Sequence, residues 1–325
     1  MSEYRVAFLG ECMIELRETE SGIARGFGGD TLNSGIYLSR LHQLVDNVEP
    51  KLVVSFLSAM GPDSQSKHVL DACVREGVDV SHVTQLEGKL PGIYLIENDP
   101  SGERTFHYWR SDSAARYWVQ GFDDAELLTQ LNQFDVVYLS GISLAIQFEE
   151  QRDRLILALR RFSEAGGKVV FDTNYRPRLW EDESTARMAF NEVLSFVDIA
   201  LLTFDDEALL FGDLTANDTV ERVKALGCKH VVIKCGAESC LVFSSDSVNN
   251  IPAVAVETVV DTTSAGDAFN AGYLFGQLSG LSVIRSAQIA HLLASHVIQA
   301  KGAIIPLDKM PSLHQLNTII PNQPH

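Results

Sequence analysis

Val259-Val260-Asp261-Thr262-Thr263-Ser264-Ala265-Gly266-Asp267-Ala268-Phe269-Asn270-Ala271-Gly272-Tyr273 is the most informative stretch of this 325-residue chain. A strand-like segment runs into a turn of small residues and then into a helix. Small residues let the backbone approach a ligand closely. The first N–H groups of a helix have no intrahelical partner, and the helix dipole is positive there. That makes an anion site suited to a phosphoryl group in transfer. Asp267 falls at or just inside the helix start. A carboxylate beside a phosphate can accept the proton of an attacking hydroxyl. The oriented N–H groups would stabilise charge on the transferring group. A lone Asp after Gly is more commonly a helix-start residue favoured by the dipole; the full string sets this one apart.

Outward from this motif, short apolar runs alternate with helical patterns. Val6–Leu9, Leu52–Leu57, Val136–Ser140, Val169–Asp172, Ile199–Thr203 and Val231–Lys234 read as buried strands. Asn33–Leu44, Ser66–Glu76, Gln151–Ala165, Ser184–Phe196 and Val220–Leu226 carry apolar residues at three- and four-residue spacing, as amphipathic helices do. Gly77, Gly166-Gly167 and Gly227 stand where helices should end. The alternation predicts an α/β fold with a mostly parallel sheet covered by helices on both faces.

Two regions break the rhythm, about 11–23 and 91–117. The run Gly92 to Glu97, a turn at Asn98-Asp99-Pro100-Ser101-Gly102, and the run Glu103 to Trp109 form a β-hairpin signature. These regions predict a small antiparallel sheet projecting from the body, as a lid or a dimer patch, because such a hairpin needs a partner surface. With no linker, repeat or low-complexity segment, 1–325 reads as one domain. The tail Pro311–His325 reads as peripheral.

Hydrophobic residues are 46% and charged residues 21%, an ordinary globular balance. The net charge of −17 argues against nucleic acid and anionic membranes as partners. It also requires a local basic focus for any anionic substrate. The five cysteines include no CxxC pair and read as buried thiols of a reducing, cytoplasmic compartment. The N-terminal apolar stretch ends at Gly10, too short for a signal peptide, and no run spans a membrane. Gly10-Glu11-Cys12-Met13 lacks the dinucleotide fingerprint after the first strand, which disfavours a nicotinamide oxidoreductase, and no Walker A string occurs.

Asp261-Thr262-Thr263-Ser264-Ala265-Gly266-Asp267 closely resembles the second signature of the ribokinase-like (PfkB) sugar kinases, although many members have Gly where Ser264 stands. The resemblance implies a ribokinase-like three-layer α/β/α fold with a small β-sheet lid, ATP and Mg2+ as cofactors, and Asp267 as catalytic base. The backbone of Ser264, Ala265 and Gly266 would form the anion hole on the nucleotide side. Gly28-Gly29-Asp30-Thr31-Leu32-Asn33, by itself a glycine turn with a capping residue, matches the first signature, in which Gly29 and Asn33 contact the sugar. Gly61-Pro62-Asp63 fits a family pattern but equally a turn and helix start. Lys234 and Gly236 resemble the nucleotide-side loop, and His291 lies on the helix that flanks adenine. Thr203-Phe204-Asp205-Asp206-Glu207 stands where the family often has Asn-x-x-Glu, which acts on magnesium through water. Here either Asp206 or Glu207 could take the acidic place. In some relatives a monovalent cation such as K+ sits by Ala300–Ala303 and the equivalents of Asp261 and Thr263. The family also implies a homo-oligomer, a dimer through the lid sheet.

Two arginine-bearing strings bear on the substrate. His107-Tyr108-Trp109-Arg110 lies in the hairpin, and Asn174-Tyr175-Arg176-Pro177-Arg178 follows a strand at the ligand-binding edge of a parallel sheet. Arginine binds carboxylates bidentately, so Arg110 and Arg176 could converge on one sugar carboxylate. Single arginines more commonly pair with the protein's own acids. Both strings, with Gly302-Ala303-Ile304-Ile305-Pro306, resemble the subfamily that phosphorylates 2-dehydro-3-deoxygluconate at its 6-hydroxyl. There the equivalents of Tyr94, Tyr108, Arg110 and Arg176 bind the ketoacid. The alternatives are a kinase for a neutral ketohexose such as fructose or for a nucleoside, or a non-catalytic sugar-binding regulator, which would be expected to lack Asp267.

Overall fold

Within the strand Glu3–Leu9 (β1), Val6 and Phe8 belong to one buried apolar cluster, and Ala7 and Leu9 to a second on the opposite face. Side chains alternate sides along a strand, so a run apolar at every position must be covered on both. In the computed structural model, which describes residues 3–19, 22–45, 50–98 and 104–320, helices supply that cover. The further strands are β2 (Met13–Thr19), β3 (Gly22–Gly28), β4 (Lys51–Met60), β5 (Val83–Gln85), β6 (Gly92–Asn98), β7 (Arg104–Trp109), β8 (Val136–Ser140), β9 (Lys168–Asp172), β10 (Ile199–Thr203), β11 (His230–Cys235), β12 (Ser239–Ser244) and β13 (Ser247–Pro252). The helices are α1 (Asp30–Leu44), α2 (Ser64–Arg75), α3 (Asp124–Leu131), α4 (Gly141–Ala145), α5 (Glu149–Glu164), α6 (Glu183–Leu194), α7 (Phe204–Phe211), α8 (Ala216–Ala225), α9 (Ala265–Leu278), α10 (Val283–Val297) and α11 (Leu313–Ile319).

The main sheet has the order β13-β12-β11-β10-β9-β8-β1-β4-β5. From β11 to β5 all neighbours are parallel, and β12 and β13 add an antiparallel edge. Helices α1, α2, α9, α10 and α11 pack on one face, and α3, α5, α6, α7 and α8 on the other. This is the expected three-layer α/β/α arrangement. After β1 the chain builds towards β4 and β5, then returns past β1 and builds the other way from β8. The reversal places a crevice beside the carboxyl ends of β1 and β8, where parallel sheets bind ligands. Asp63 accepts from the N–H groups of Gln65 and Ser66, so Gly61-Pro62-Asp63 serves here as a helix start.

The second sheet has the order β3-β2-β6-β7. It is mixed rather than antiparallel, because β2 and β6 run parallel. The chain visits it twice: β2 follows β1 and turns into β3, and β6 arrives only after α1, β4, α2 and β5. On both visits the chain leaves the body in the same direction. The hairpin between β6 and β7 forms as expected, with Ile93 opposite Trp109; its turn lies at 99–103, outside the described residues. The tail is less peripheral than its composition suggests. Ser312 and Gln315 form a capping box that starts α11, and Leu316 is fully buried against the main cluster. The segment 321–325 lies outside the described residues.

Helix α9 is buried from Ala268 through Gly276, so its register fixes where Asp267 points. A Cβ at Gly272 would lie 2.7 Å from Ala290 Cα, and one at Gly276 2.6 Å from Ser286 Cα. The two glycines, one turn apart, let α10 lie directly against α9. Gly272→Ala should therefore lower stability by about 1–3 kcal/mol through overpacking, despite alanine's better helix propensity. Urea denaturation measures this; an unchanged midpoint would mean that the contact is not tight.

Candidate active site

Strands β1, β8, β9, β10 and β11 deliver their carboxyl ends to one edge, and the small sheet overhangs it. Between them lies a cavity of about 1690 Å³. That exceeds the usual room for one small ligand and suits two side by side. It is lined by Gly29, Asn33, Tyr94, Tyr108, Arg110 and Arg176, the residues expected to bind sugar. Lys234, Gly236, Ser264, Ala265, Gly266 and His291, expected on the nucleotide side, line it too, as do Asp206 and Asp267.

Asp267 occupies the first turn of α9. Its Oδ2 accepts from Asn33 Nδ2 at 2.8 Å and from the Ser264 hydroxyl at 2.9 Å. Ser34 on α1 donates to its backbone carbonyl at 3.2 Å. Burial pushes the Asp267 carboxyl up to about 7, and the charge of Asp30 adds to the rise, against the two hydrogen bonds. Such a group is poised to take a proton near neutral pH. The Ala265 N–H turns back to the Thr262 carbonyl at 3.2 Å. Within the expected stretch Ser264–Asp267, the Ala265 N–H is thus turned inward, while among the described residues the N–H groups of Ser264, Gly266 and Asp267 remain for an anion.

Beneath this turn lies a buried polar network. Asn270 Nδ2 donates to Tyr138 Oη at 2.8 Å and to Asp172 Oδ2 at 2.9 Å. Lys234 Nζ donates to Asp172 Oδ1 at 3.2 Å and to Asn270 Oδ1 at 3.0 Å. Burial pushes Asp172 up, and the ammonium of Lys234 offsets part of that. Asn174, with φ of 31°, donates to Asp30 Oδ2 at 2.7 Å. That bond fixes the loop carrying Arg176 against the start of α1. Local sequence alone does not mark Asp30, Asp172 and Asn270 as site residues. The strand-end position of Asp172 and the Asp30 of the first signature were the available signals.

Gly29 must be glycine, since a Cβ there would lie 1.9 Å from the Glu11 carbonyl oxygen. In the small sheet, Tyr94 donates to Glu15 at 2.5 Å and packs 6.0 Å from Tyr108. Arg110, its guanidinium over Tyr108, is ion-paired with the buried Glu11. Arg176 lies 3.5 Å from Asp206 and donates to the Tyr175 carbonyl. Both arginines thus face the cavity, each with a carboxylate of the protein already beside it. His291 donates through Nε2 to the Ile251 carbonyl at 3.2 Å and meets Phe269 edge-on, and burial holds its pKa down. A neutral, fixed imidazole of this kind can flank a flat base. Gly236, at φ of 59°, makes the tight turn between β11 and β12.

Glu207 is not at the cavity, contrary to one of the two alternatives at that position. One residue on a helix is a turn of about 100°, and it sends Glu207 into the body. There it is buried and paired with Arg222 at 2.6 Å, with Asp213 on the same guanidinium. Asp206 remains, with Asp205 beside it. No group of three or more His, Cys, Asp or Glu able to hold a metal occurs among the described residues. Magnesium needs no such cage, since it takes phosphate oxygens and water with one or two carboxylates. Asp205 and Asp206 fit that donor set. The cysteines are free, and no described helix is long and apolar enough to cross a membrane.

Residues 4–310 match the family described as pfkB family carbohydrate kinase. The chain is 47% identical over 316 residues to a 2-dehydro-3-deoxygluconokinase of Dickeya dadantii (strain 3937), covering 96% of this chain and 100% of that one. It is 46% identical over 312 residues to a 2-dehydro-3-deoxygluconokinase of Escherichia coli (strain K12), covering 95% and 99%. A PfkB protein from Polaromonas sp. JS666 superposes with a TM-score of 0.79 at 24% identity over 97% and 99% of the two chains, which supports the fold. With a match that runs from the first strand to just before the last helix, and with relatives of this identity along their whole length, the chain belongs to the pfkB family of carbohydrate kinases.

Proposed function

We propose that this carbohydrate kinase transfers the γ-phosphoryl group of ATP to the 6-hydroxyl of 2-dehydro-3-deoxy-D-gluconate, giving ADP and 2-dehydro-3-deoxy-6-phospho-D-gluconate. The observation that carries the reading is Asp267: a carboxyl held by Asn33 and Ser264, pushed up to about 7, at the start of α9 and on the wall of the cavity. Its ionised form takes the hydroxyl proton. The N–H groups of Ser264, Gly266 and Asp267 receive the charge that builds on the phosphoryl oxygens. Lys234, on the same wall, adds a positive charge there. Asp206 and Asp205 would hold magnesium through water, and the bound ion would supply neutralisation of phosphate charge. A monovalent cation such as K+ would sit near Asp261 and the loop of Gly302, already tied by the Gly302 N–H at 2.8 Å from Asp261 Oδ2.

Arg110 and Arg176 anchor the acid end of the sugar, with Tyr94 and Tyr108 against its carbon chain and Gly29 and Asn33 at its hydroxyls. The distal hydroxyl then faces Asp267. The small sheet acts as the lid of a single domain, and the working form is a cytoplasmic homodimer joined through it. A neutral ketohexose such as fructose is the second reading, favoured by the carboxylates of Glu11 and Asp206 that already accompany the two arginines.

Asp267→Asn should lower kcat by about 10²–10⁴-fold while ATP affinity is retained. Steady-state kinetics with a nucleotide titration would show it, and near-normal kcat would remove Asp267 from the role of base. Arg176→Ala should raise KM for the sugar acid about 10–100-fold, the usual worth of a hydrogen bond between charged groups, with a smaller change in kcat. A coupled ADP-release assay across 2-keto-3-deoxy sugar acids and neutral ketoses decides the substrate; turnover of ketoses alone would sink the sugar-acid reading.

The folded carboxyl of Asp267 titrates near 7, against 3.8 for the ordinary group. Between these values the folded state holds a proton that the unfolded state has lost, so stability from this group falls as pH rises from about 4 to 7 and then levels. Asp267→Asn should therefore gain stability over the parent across that window, by on the order of 1–4 kcal/mol at pH 8. Thermal melts at several pH values test this; a difference independent of pH would contradict it.

A further inference from the structure

Ser264 stands at the N-cap of α9 with φ of 64°, a left-handed conformation that a residue with a Cβ seldom adopts. An N-cap serine usually accepts a hydrogen bond from the N–H of the second or third helical residue. Ser264 makes no such cap. Its hydroxyl instead donates to the side chain three residues on, Oδ2 of Asp267, at 2.9 Å. Asn33 donates to the same oxygen at 2.8 Å. No donor among the described residues reaches Oδ1. Glycine would hold this backbone more easily, so the conformation gives no reason for a serine here, whereas the hydroxyl does.

We propose that Ser264 is a positioning residue for the base, its hydroxyl joining Asn33 to hold Oδ2 of Asp267 and so leaving Oδ1 as the atom that takes the substrate proton. The inference rests on Asp267 being the base. In the step, the hydroxyl proton of the sugar passes to Oδ1 and the hydroxyl oxygen bonds the γ-phosphorus. The bond from that phosphorus to the β–γ bridging oxygen breaks, and ADP leaves with the electron pair. The donors on Oδ2 keep the carboxylate in one rotamer, in line with the attacking oxygen. They also favour its charged form against its surroundings. Asp30 and Tyr37 from α1, Asp172 from β9 and Tyr138 from β8 face Asp267, and Lys234 from β11 comes within 3.8 Å of where a Gly266 Cβ would stand. Asp30 and Asp172 oppose ionisation, and the bonds from Asn33 and Ser264 support it.

Ser264→Ala and Ser264→Gly separate the hydroxyl from the backbone. Alanine keeps the Cβ and its conformational cost; glycine removes both hydroxyl and cost. Both variants should lower plateau kcat about 10–100-fold. Both should also move the acid limb of the kcat–pH profile up by about one pH unit, because a donor to the carboxylate is lost. The glycine variant should melt no lower than the alanine variant, so the kinetic loss is not a folding loss. An acid limb at the parental position in both variants would overturn the proposal. So would normal kinetics in the glycine variant alone, since the backbone would then be the whole effect. Asp267→Asn measured alongside distinguishes the two levels: if it retains kcat the base itself is misassigned, and if it is inactive while the Ser264 variants are normal, only the role of Ser264 fails.

Discussion

A half-buried carboxyl group on the cavity wall, hemmed in by other acids, is the constraint around which this site is built. Burial and the neighbouring charge of Asp30 both oppose the anion at Asp267. Two neutral donors on one oxygen oppose them in turn, one from the start of α1 and one from the turn before α9. Neither donor is free to move. Asn33 lies in a helix buried along most of its length, and Ser264 is locked into the turn that opens α9. The close approach of α10 at Gly272 and Gly276 holds α9 in register. Packing far from the cavity thus sets the orientation of a single carboxylate.

The electrostatics of the site are internally balanced rather than simply basic. The chain carries −17 net charge, and three of the cations that line the cavity have acidic partners: Arg110 with Glu11, Arg176 with Asp206, Lys234 with Asp172. A cation with a fixed counter-charge keeps its place when no ligand is bound and avoids the cost of an isolated buried charge. Glu11 has a further position of interest. It lies where the chain leaves β1 for the small sheet, and Arg110 lies where the chain comes back from β7. Their ion pair therefore closes the two ends of the overhanging sheet onto the body.

Local pattern made much of this readable. Apolar runs at Val136–Ser140 and Ile199–Thr203 became strands with those bounds, because a strand buried on both faces carries apolar residues on both. Asp267 stands out through the whole string Asp261–Asp267, whose resemblance to a kinase signature goes beyond a helix-start aspartate. Glu207 was ambiguous for the converse reason. Two adjacent acids read alike in sequence, and only the rotation of α7 sends one to the cavity and the other under Arg222. The parallel pairing of β2 with β6 was likewise hidden, since it joins segments separated by α1, β4, α2 and β5. The tail read as peripheral because the burial of α11 depends on a surface formed by distant helices.

Residue order alone determined the alternation of strands and helices, the small-residue turn before α9 and the aspartate that follows it, because each depends on neighbours within a few positions. Folding in three dimensions decided which acids meet. Asp30, Asp172 and Asp267 stand in separate parts of the chain, and their mutual repulsion, with the bonds that offset it, exists only once α1, β9 and α9 share one edge of the sheet. Coulomb interactions and desolvation depend on distance through space. The proton affinity of the site is therefore a property of the assembled edge.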